Sequence, residues 1–451
     1  MLEKLFKLKE NDTTVSKEFI AGLTTFMAMS YAIFVIPSIL SQTGMDYQAV
    51  YGATVLASVL GTLTLGLVAN VPYAQSAGIG LASLVTYTVC GTLGYTWQQA
   101  LAMVFICSMI NLIITFTSIR KWIIKSIPDF MQEAITIGIG LFIAYIGLVN
   151  SGIITYGAST ITNGFAQDVV PQLNTFSDKA ILLAAIGLII TVILVVRKVK
   201  IAYIASIIIT TIIGIPMGVT TMPDFSNYQI LPSIAPTFLQ MDIVGLFSIK
   251  TSILVVLMTI FTLCISDLFD TIGVFIGTGK KAGIFKPDED GKMPQKLERA
   301  VLADCFGTLY GSLLGTSNVT TYIESSSGID AGGRTGLTSV FTAIFMLLTL
   351  LFAPIIKCVP MAALSPILVV VGASMLENIG KINFEDMAIG MTSFFIIALM
   401  PLGYSISTGI QFGFIVYVIT SLVTGKGKDV SPMIYVFSVL FIIQYIVNSI
   451  L

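Results

Sequence analysis

Histidine is absent from this 451-residue chain, and charge is scarce, with Asp, Glu, Lys and Arg together making up only 10% of it. Soluble domains carry about 25% charged residues, so a polar surface cannot be built from this supply. Without imidazole the chain lacks the usual near-neutral proton carrier, and any proton handling falls to carboxyl groups. Cysteine is sparse too. The five cysteines, at 90, 107, 264, 305 and 358, sit in apolar runs without CxxC spacing, which reads as buried packing thiols and excludes a disulfide frame or a zinc site. With 23 basic against 24 acidic residues the net charge is −1, so there is no basic field to recruit nucleic acid and no acidic tail to attract a cationic partner.

What the chain has in abundance is apolar surface, at 55% hydrophobic residues and a mean hydropathy of +0.94, and its solvent is therefore lipid. The stretch Met1 to Ser16 is polar and bears lysines without a short apolar core, so it is not expected to be a removable signal peptide. Runs of about 20 apolar residues mark membrane-spanning helices. Seven fall near 18–40, 48–70, 72–90, 97–119, 130–150, 179–197 and 200–220, and seven more near 250–277, 297–314, 316–333, 335–357, 361–377, 385–402 and 404–424. The last apolar run, 431–450, reads as a further span, a re-entrant or interfacial helix, or a sign that an earlier helix is divided wrongly.

Short cytoplasmic loops retain positive charge. Fourteen spans with a cytoplasmic N-terminus put 20 of the 23 Lys and Arg residues on the inside, including Lys4, Lys17, Arg120, Lys125, Arg197, Lys280, Arg334, Lys381 and Lys428; Lys179, Lys250 and Lys357 fall at helix edges, where they can snorkel. An odd number of spans per half gives two halves of opposite orientation, the inverted-repeat architecture of many secondary transporters. One short internal match agrees: Tyr73-Ala74-Gln75-Ser76 in segment three and Tyr322-Ile323-Glu324-Ser325 in segment ten, each followed by Gly-Ile at 78–79 and 328–329.

Segments three and ten are also the least helical of the set. Val71-Pro72-Tyr73 leads into Gly78 and Gly80, and Gly315-Thr316-Ser317 leads through a β-branched stretch with Thr321 to Gly328. Irregular backbone at membrane depth is tolerated where it is buried in protein or lines a cavity. Broken helices there would aim N–H groups at a ligand; the alternative is Gly/Ser-rich packing between helices. Intramembrane carboxyls are functional candidates by default. Asp267 and Asp270 lie three apart in segment eight, Asp304 lies in segment nine and Glu324 in the break of segment ten. An acid pair at i,i+3 with no basic neighbour in the bundle is a natural proton site, whereas a helix cap or a bond to threonine is the structural alternative for Asp270 and Asp304. The loop Lys280 to Arg299 reads as a solvated hinge, since the EF-hand spacing is missing around Pro287–Gly291. Phe26 and Tyr31 are candidates to stack on a ligand, although packing is the commoner fate of such aromatics. No nucleophile, metal cluster or cofactor loop accompanies the acids, which argues against an enzyme.

Over nearly its whole length the chain resembles the AzgA-like adenine/guanine/hypoxanthine permeases, a branch of the nucleobase/ascorbate transporters. The likeness rests on Ala21-Gly22-Leu23-Thr24-Thr25-Phe26-Met27 with Tyr31, on Gly78-Ile79-Gly80-Leu81, on Asp267-Leu268-Phe269-Asp270-Thr271-Ile272-Gly273, and on Gly315-Thr316-Ser317 through Glu324-Ser325 to Gly332-Gly333-Arg334-Thr335-Gly336. The resemblance implies an all-α polytopic membrane protein of 14 spans in 7+7 inverted repeats, with short strand or half-helix breaks in segments three and ten. It implies a cytoplasmic N-terminus (1–17), a core domain (18–125 and 250–357) and a gate domain (126–249 and 358–451), with core moving against gate as an elevator and, as in relatives, a homodimer through the gate. The implied cargo is a purine nucleobase imported across the inner (plasma) membrane by proton symport without a cofactor. Asp267 and Glu324 are implied to bind the base, helped by Gln75, Ser76, Tyr31 and Ser325, with Asp270, Asp267 and Asp304 on the proton path and Gly78, Gly80, Thr321 and Gly328 shaping the breaks. The family's Pro-Gly-x-Gly-Leu-Asn is Ala77-Gly78-Ile79-Gly80-Leu81-Ala82 here, so Ala82 stands where the family has a site asparagine, and Gln75 is the residue expected to replace its amide. A non-purine or modified-base substrate, or a passive facilitator or channel, is the competing expectation.

Overall fold

The computed structural model describes residues 2–117, 127–162, 165–199, 201–222, 232–247, 253–281, 284–285, 295–353 and 358–450. Arg120, Lys121, Lys125, Lys200, Lys250, Lys357 and most of the loop around Pro287–Gly291 lie outside the described residues.

A one-turn helix, α1 (Leu2–Phe6), precedes the first span, which is split into α2 (Val15–Met29) and α3 (Ala32–Leu40). The second span, α4 (Tyr47–Thr64), winds on as a π turn to Ala69. The third opens as strand β1 (Gln75–Ala77), becomes α5 (Ile79–Ser83) and continues in π winding to Thr92. Next come α6 (Trp97–Phe116) and α7 (Asp129–Asn150), the hairpin β2 (Ile154–Thr162) and β3 (Phe165–Leu173), α8 (Lys179–Val196), α9 (Ala202–Met217) and the short α10 (Ile243–Leu246). The second half holds α11 (Ile253–Lys281), α12 (Gln295–Leu314), strand β4 (Val319–Thr321), α13 (Ser325–Asp330) and α14 (Gly336–Thr349). It ends with α15 (Met361–Ser374), which tightens to a 3₁₀ helix as far as Lys381, then α16 (Met387–Leu402), α17 (Ile406–Val423) and α18 (Pro432–Ile450). Among the described residues, seven helices are long and apolar enough to cross a membrane and six shorter ones are apolar.

Local chemistry explains where these helices start. Thr96 and Gln99 form a reciprocal capping box on α6, and Asp46, Asp178, Asp386 and Ser405 accept N–H groups in the first turns of α4, α8, α16 and α17. The start of α14 is capped from a distance. Buried Glu18 of α2 accepts the backbone N–H groups of Arg334 (3.0 Å) and Thr338 (3.0 Å) and the Thr338 hydroxyl.

Packing in lipid relies on close backbone approach, because tails are as apolar as leucine. Where α7 crosses α15, a Cβ on Gly372 would lie 2.7 Å from the Ala144 nitrogen and one on Gly147 2.8 Å from the Ser365 carbonyl, so neither site admits a side chain. The helix neighbours are α14 on α2 and α4, α12 on α4 and α6, α11 on α6, α15 on α7 and α8, α16 on α7 and α17, α8 on α9, α9 on α15 and α17 on α7. Large apolar side chains such as Ile113, Phe116, Ile189, Val196, Phe394 and Val423 remain exposed on the outside, the pattern of a surface solvated by lipid.

Three outcomes differ from the sequence reading. Residues 151–178, left unassigned by hydropathy, carry the β2–β3 hairpin. The run 431–450 is one continuous helix beyond the fourteen expected segments, seated on α17 and on α11 through Phe437 stacked on Phe261 at 3.6 Å. Cys107, Cys264 and Cys305 are buried as expected, whereas Cys90 and Cys358 are half-buried.

Candidate functional site

Segments three and ten meet in the middle of the bundle. Strands β1 and β4 pair antiparallel in the register Gln75↔Thr321, Ser76↔Thr320 and Ala77↔Val319, and the ladder is extended by Tyr322 N–H to Ala74 O (3.0 Å) and Gly78 N–H to Asn318 O (2.9 Å). The pairing satisfies backbone that neither broken helix could satisfy alone. Beyond it α5 runs from Gly78 and α13 from Glu324. The two ends are not equivalent. In α13 the first N–H groups are already taken, by Tyr322 O, Ile323 O and Glu324 O, whereas the α5 ladder begins with Ala82 N–H to Gly78 O and leaves the preceding turn without intrahelical acceptors.

Alternation along the strands sorts the side chains onto two faces. On one, Gln75 is fully buried and donates to Asp304 Oδ1 at 2.7 Å, which also receives the Thr321 hydroxyl at 2.9 Å; Asp304 Oδ2 receives Thr271 at 2.7 Å. Gln75 is clasped between Gly61 and Gly307, where a Cβ on Gly307 would come within 2.6 Å of its Oε1. On the other face Ser76 accepts from Ser58 at 2.9 Å, and Thr320 donates to Asp270 Oδ2 at 3.2 Å.

The four acids therefore divide into two classes. Asp267 and Asp304 are sealed, at 2% and 3% exposure, and Asp267 is held by Asn111 Nδ2 at 2.8 Å and by Thr308 at 3.3 Å. Asp270 is exposed and Glu324 half-buried. Glu324 Oε1 receives the Tyr31 hydroxyl at 2.5 Å. Tyr322, whose own hydroxyl is anchored on Ala77 O at 2.6 Å, lies within electrostatic reach of both Glu324 and Asp270. The Tyr31 ring packs on Tyr203 of α9 at 4.9 Å. Two carboxylates and the phenols of Tyr31 and Tyr322 thus cluster at the crossing.

Several expected site residues have their partners within the protein. Asp267, about 60° around α11 from Asp270, is buried against Asn111 and Thr308. Strand alternation turns the Gln75 amide toward Asp304. Ala82 is fully buried in the apolar core. Ser325 accepts Ala74 N–H at 3.0 Å and so braces the crossing. Gly80 packs where a Cβ would lie 2.8 Å from Ile139 of α7, and Gly328 lies where a Cβ would lie 2.7 Å from the Ala21 carbonyl of α2. Residues the sequence reading missed are Asn111, Thr308, Thr271, Thr320, Tyr322 and Tyr203; Asn111, an amide within the apolar run of α6, was the one visible signal.

A bundle of apolar helices around two half-strands, with carboxylates at their crossing, defines a multi-pass membrane transport protein rather than an enzyme. The chain belongs to the Permease family, whose xanthine/uracil permease profile matches residues 16–412. It is 42% identical to a putative permease of Methanocaldococcus jannaschii, over 99% of each chain. It is 36% identical to the guanine/hypoxanthine permease PbuG of Bacillus subtilis, over 99% of each, and 35% identical to the adenine permease AdeP of Escherichia coli, over 99% of this chain and 96% of AdeP. Among solved structures it shares its fold with the transmembrane domain of the cyanobacterial bicarbonate transporter BicA (TM-score 0.62, 13% identity, covering 85% of this chain and 96% of that one). SLC26A9 is similar at a TM-score of 0.60 and 12% identity, covering 93% of this chain and 67% of that one.

Proposed function

We propose that the protein imports purine nucleobases, adenine, guanine, hypoxanthine or a related base, across the plasma membrane by proton symport. The observation that carries this reading is the pair of carboxylates, exposed Asp270 and half-buried Glu324, both within electrostatic reach of Tyr322 at the crossing. A purine offers ring N–H donors and exocyclic groups in one plane, and two carboxylates accept from two of its edges while phenol rings cover its face. The N–H groups in the first turn of α5 serve the ring acceptors. Asp270 and Glu324 hold the base, Tyr31 and Thr320 orient them, and the sealed Asp267 and Asp304 take part in carrying the coupled proton. The names of the curated relatives, adenine and guanine/hypoxanthine permeases, support this cargo.

The architecture is fourteen spans in two inverted repeats. Adding seven to each span number maps the packing onto itself: α14 on α2 becomes α6 on α11, α14 on α4 becomes α6 on α12, α15 on α8 becomes α7 on α16, and α9 on α15 becomes α17 on α7. The same packing supports a core of α2–α6 with α11–α14 and a gate of α7–α9 with α15–α17. Core and gate meet at Gly80 against Ile139, Tyr31 against Tyr203 and Tyr87 against Asn150, and transport is the sliding of one set along the other. The N-terminus is cytoplasmic, in keeping with the Lys and Arg distribution.

Uptake of radiolabelled bases into proteoliposomes under an imposed pH gradient tests the reading. A purine should accumulate in wild type and not in Glu324→Gln or Asp270→Asn. Equilibration without accumulation would indicate a passive facilitator, and no uptake of any base would overturn the cargo.

A further inference from the structure

A cavity of ≈ 440 Å³ lies at the end of the bundle where α3 stops, α4 starts, α7 stops and α15 starts, and none of the four acids lines it. Its lining includes Ser38, Gln42 and Tyr47 from α3, the turn after it and α4, and Asn150, Val359 and Met361 from the end of α7 and the approach to α15. Resting on the nucleobase reading above, we propose that this cavity is a second binding site for the same planar bases, one that holds them outside the central site.

The chemistry of the wall selects that ligand. Gln42 donates an amide N–H to Ser38 O at 3.2 Å, and Asn150 donates one to the Tyr87 hydroxyl at 2.9 Å. Those bonds, with a further contact of Gln42 on the Tyr87 hydroxyl, fix both amide planes at the cavity wall. An amide carbonyl beside a remaining amide N–H matches the lactam edge of guanine or hypoxanthine, or the amine and ring nitrogen of adenine, the pairing that Asn and Gln use to read purine edges. Tyr47, Val359 and Met361 supply a ring and apolar groups for the faces of a flat heterocycle. Among the described residues the lining holds no Lys, Arg or carboxylate. The volume lies within the range of small-molecule sites, about 300–1,000 Å³.

The cavity is also placed to report on transport. Its walls come from both packing sets, with α3 and α4 on one side and α7 and α15 on the other, so sliding of the sets alters it. Neutral amides bond a base less strongly than charged carboxylates do, so the site is weaker than the central one.

Equilibrium binding of radiolabelled adenine, guanine and hypoxanthine to purified full-length protein tests the assignment. Wild type should show two classes of site, and Glu324→Gln should retain only the weaker one. Gln42→Leu with Asn150→Leu should weaken that class at least about tenfold, the loss of two modest hydrogen bonds, and Ser41→Trp should abolish it by filling the space. Both variants should keep the tight class, which shows that they are folded, and should raise the KM for uptake more than they lower the maximal rate. A single class in wild type that Glu324→Gln removes completely, or a weak class indifferent to Gln42, Asn150 and Ser41, overturns the second site while leaving the central one standing. If wild type binds no base at all, the nucleobase reading itself fails.

Discussion

Tyr31→Phe deletes one oxygen and preserves the ring. Tyr31 is 1% exposed, and its ring contacts with Tyr203 at 4.9 Å and Tyr322 at 6.5 Å survive the change. What disappears is the hydroxyl that binds Glu324 Oε1 at 2.5 Å and, on the proposed reading, orients the carboxylate for the base. In the empty carrier, water can replace the lost donor at half-buried Glu324. A bound base expels that water, so the penalty falls on the bound state. A hydrogen bond to a charged group contributes about 1.5–3 kcal/mol, which at 1.4 kcal/mol per decade predicts a roughly 10- to 150-fold loss of affinity. We predict a KM for purine uptake raised by that factor, with dissociation constants from equilibrium binding shifting in parallel and the purified variant as thermostable as wild type. Unchanged affinity in a folded Tyr31→Phe carrier would mean that Glu324 is not oriented for the ligand by this phenol, and the geometric case for Glu324 as a ligand group would lose its main support.

Other expectations follow from neighbouring contacts. Asp304→Leu strands the buried Gln75 amide and releases both strands from α12; the midpoint of thermal unfolding in detergent should fall, by an amount equivalent to about 2–4 kcal/mol, and an unaltered midpoint would show the clasp to be dispensable. Glu18→Ala removes the cap of α14, and protease accessibility of the Gly332–Gly336 turn should rise while base affinity stays near wild type; equal cleavage rates would contradict the capping role. Gly372→Val should prevent the α7–α15 crossing from closing, which a loss of folded yield on size-exclusion chromatography would report.

Much of the architecture was legible because lipid imposes a length rule and an apolar requirement on each span, and a mostly helical chain with seven helices long and apolar enough to cross a membrane agrees with that reading. The breaks in segments three and ten were visible for a related reason: Pro72, the glycines and the Thr-rich stretch after Gly315 cannot sustain a regular helix. The acids were visible because carboxyls in apolar runs are rare. Which acid is buried and which exposed was not legible, since Asp267 and Asp270 differ by about a 60° rotation on α11. Nor was the side on which Gln75 emerges, which depends on strand alternation and therefore on the exact residue where β1 begins. The hairpin after α7 escaped because hydropathy is silent on short strands of mixed polarity.

The β1–β4 bridge also orders the assembly of the protein in time. Its two strands are separated by some 240 residues of sequence; the Ala74 C=O and the Gly78 N–H find their partners on Tyr322 and Asn318, with Ser76 paired to Thr320 between them, while Gln75 is held by Thr62 within the first half. While a ribosome is still making the second half, segment three is a membrane segment with open backbone, and each unsatisfied group in hydrocarbon costs several kcal/mol. The first seven segments are thus an unfinished half that must be kept away from bulk lipid, by the insertion machinery or by water, until segment ten arrives. We predict that a chain truncated after residue 247 is degraded in the membrane and rescued when residues 248–451 are expressed beside it as a separate polypeptide; a stable, monodisperse first half would show that segment three closes its backbone by another route.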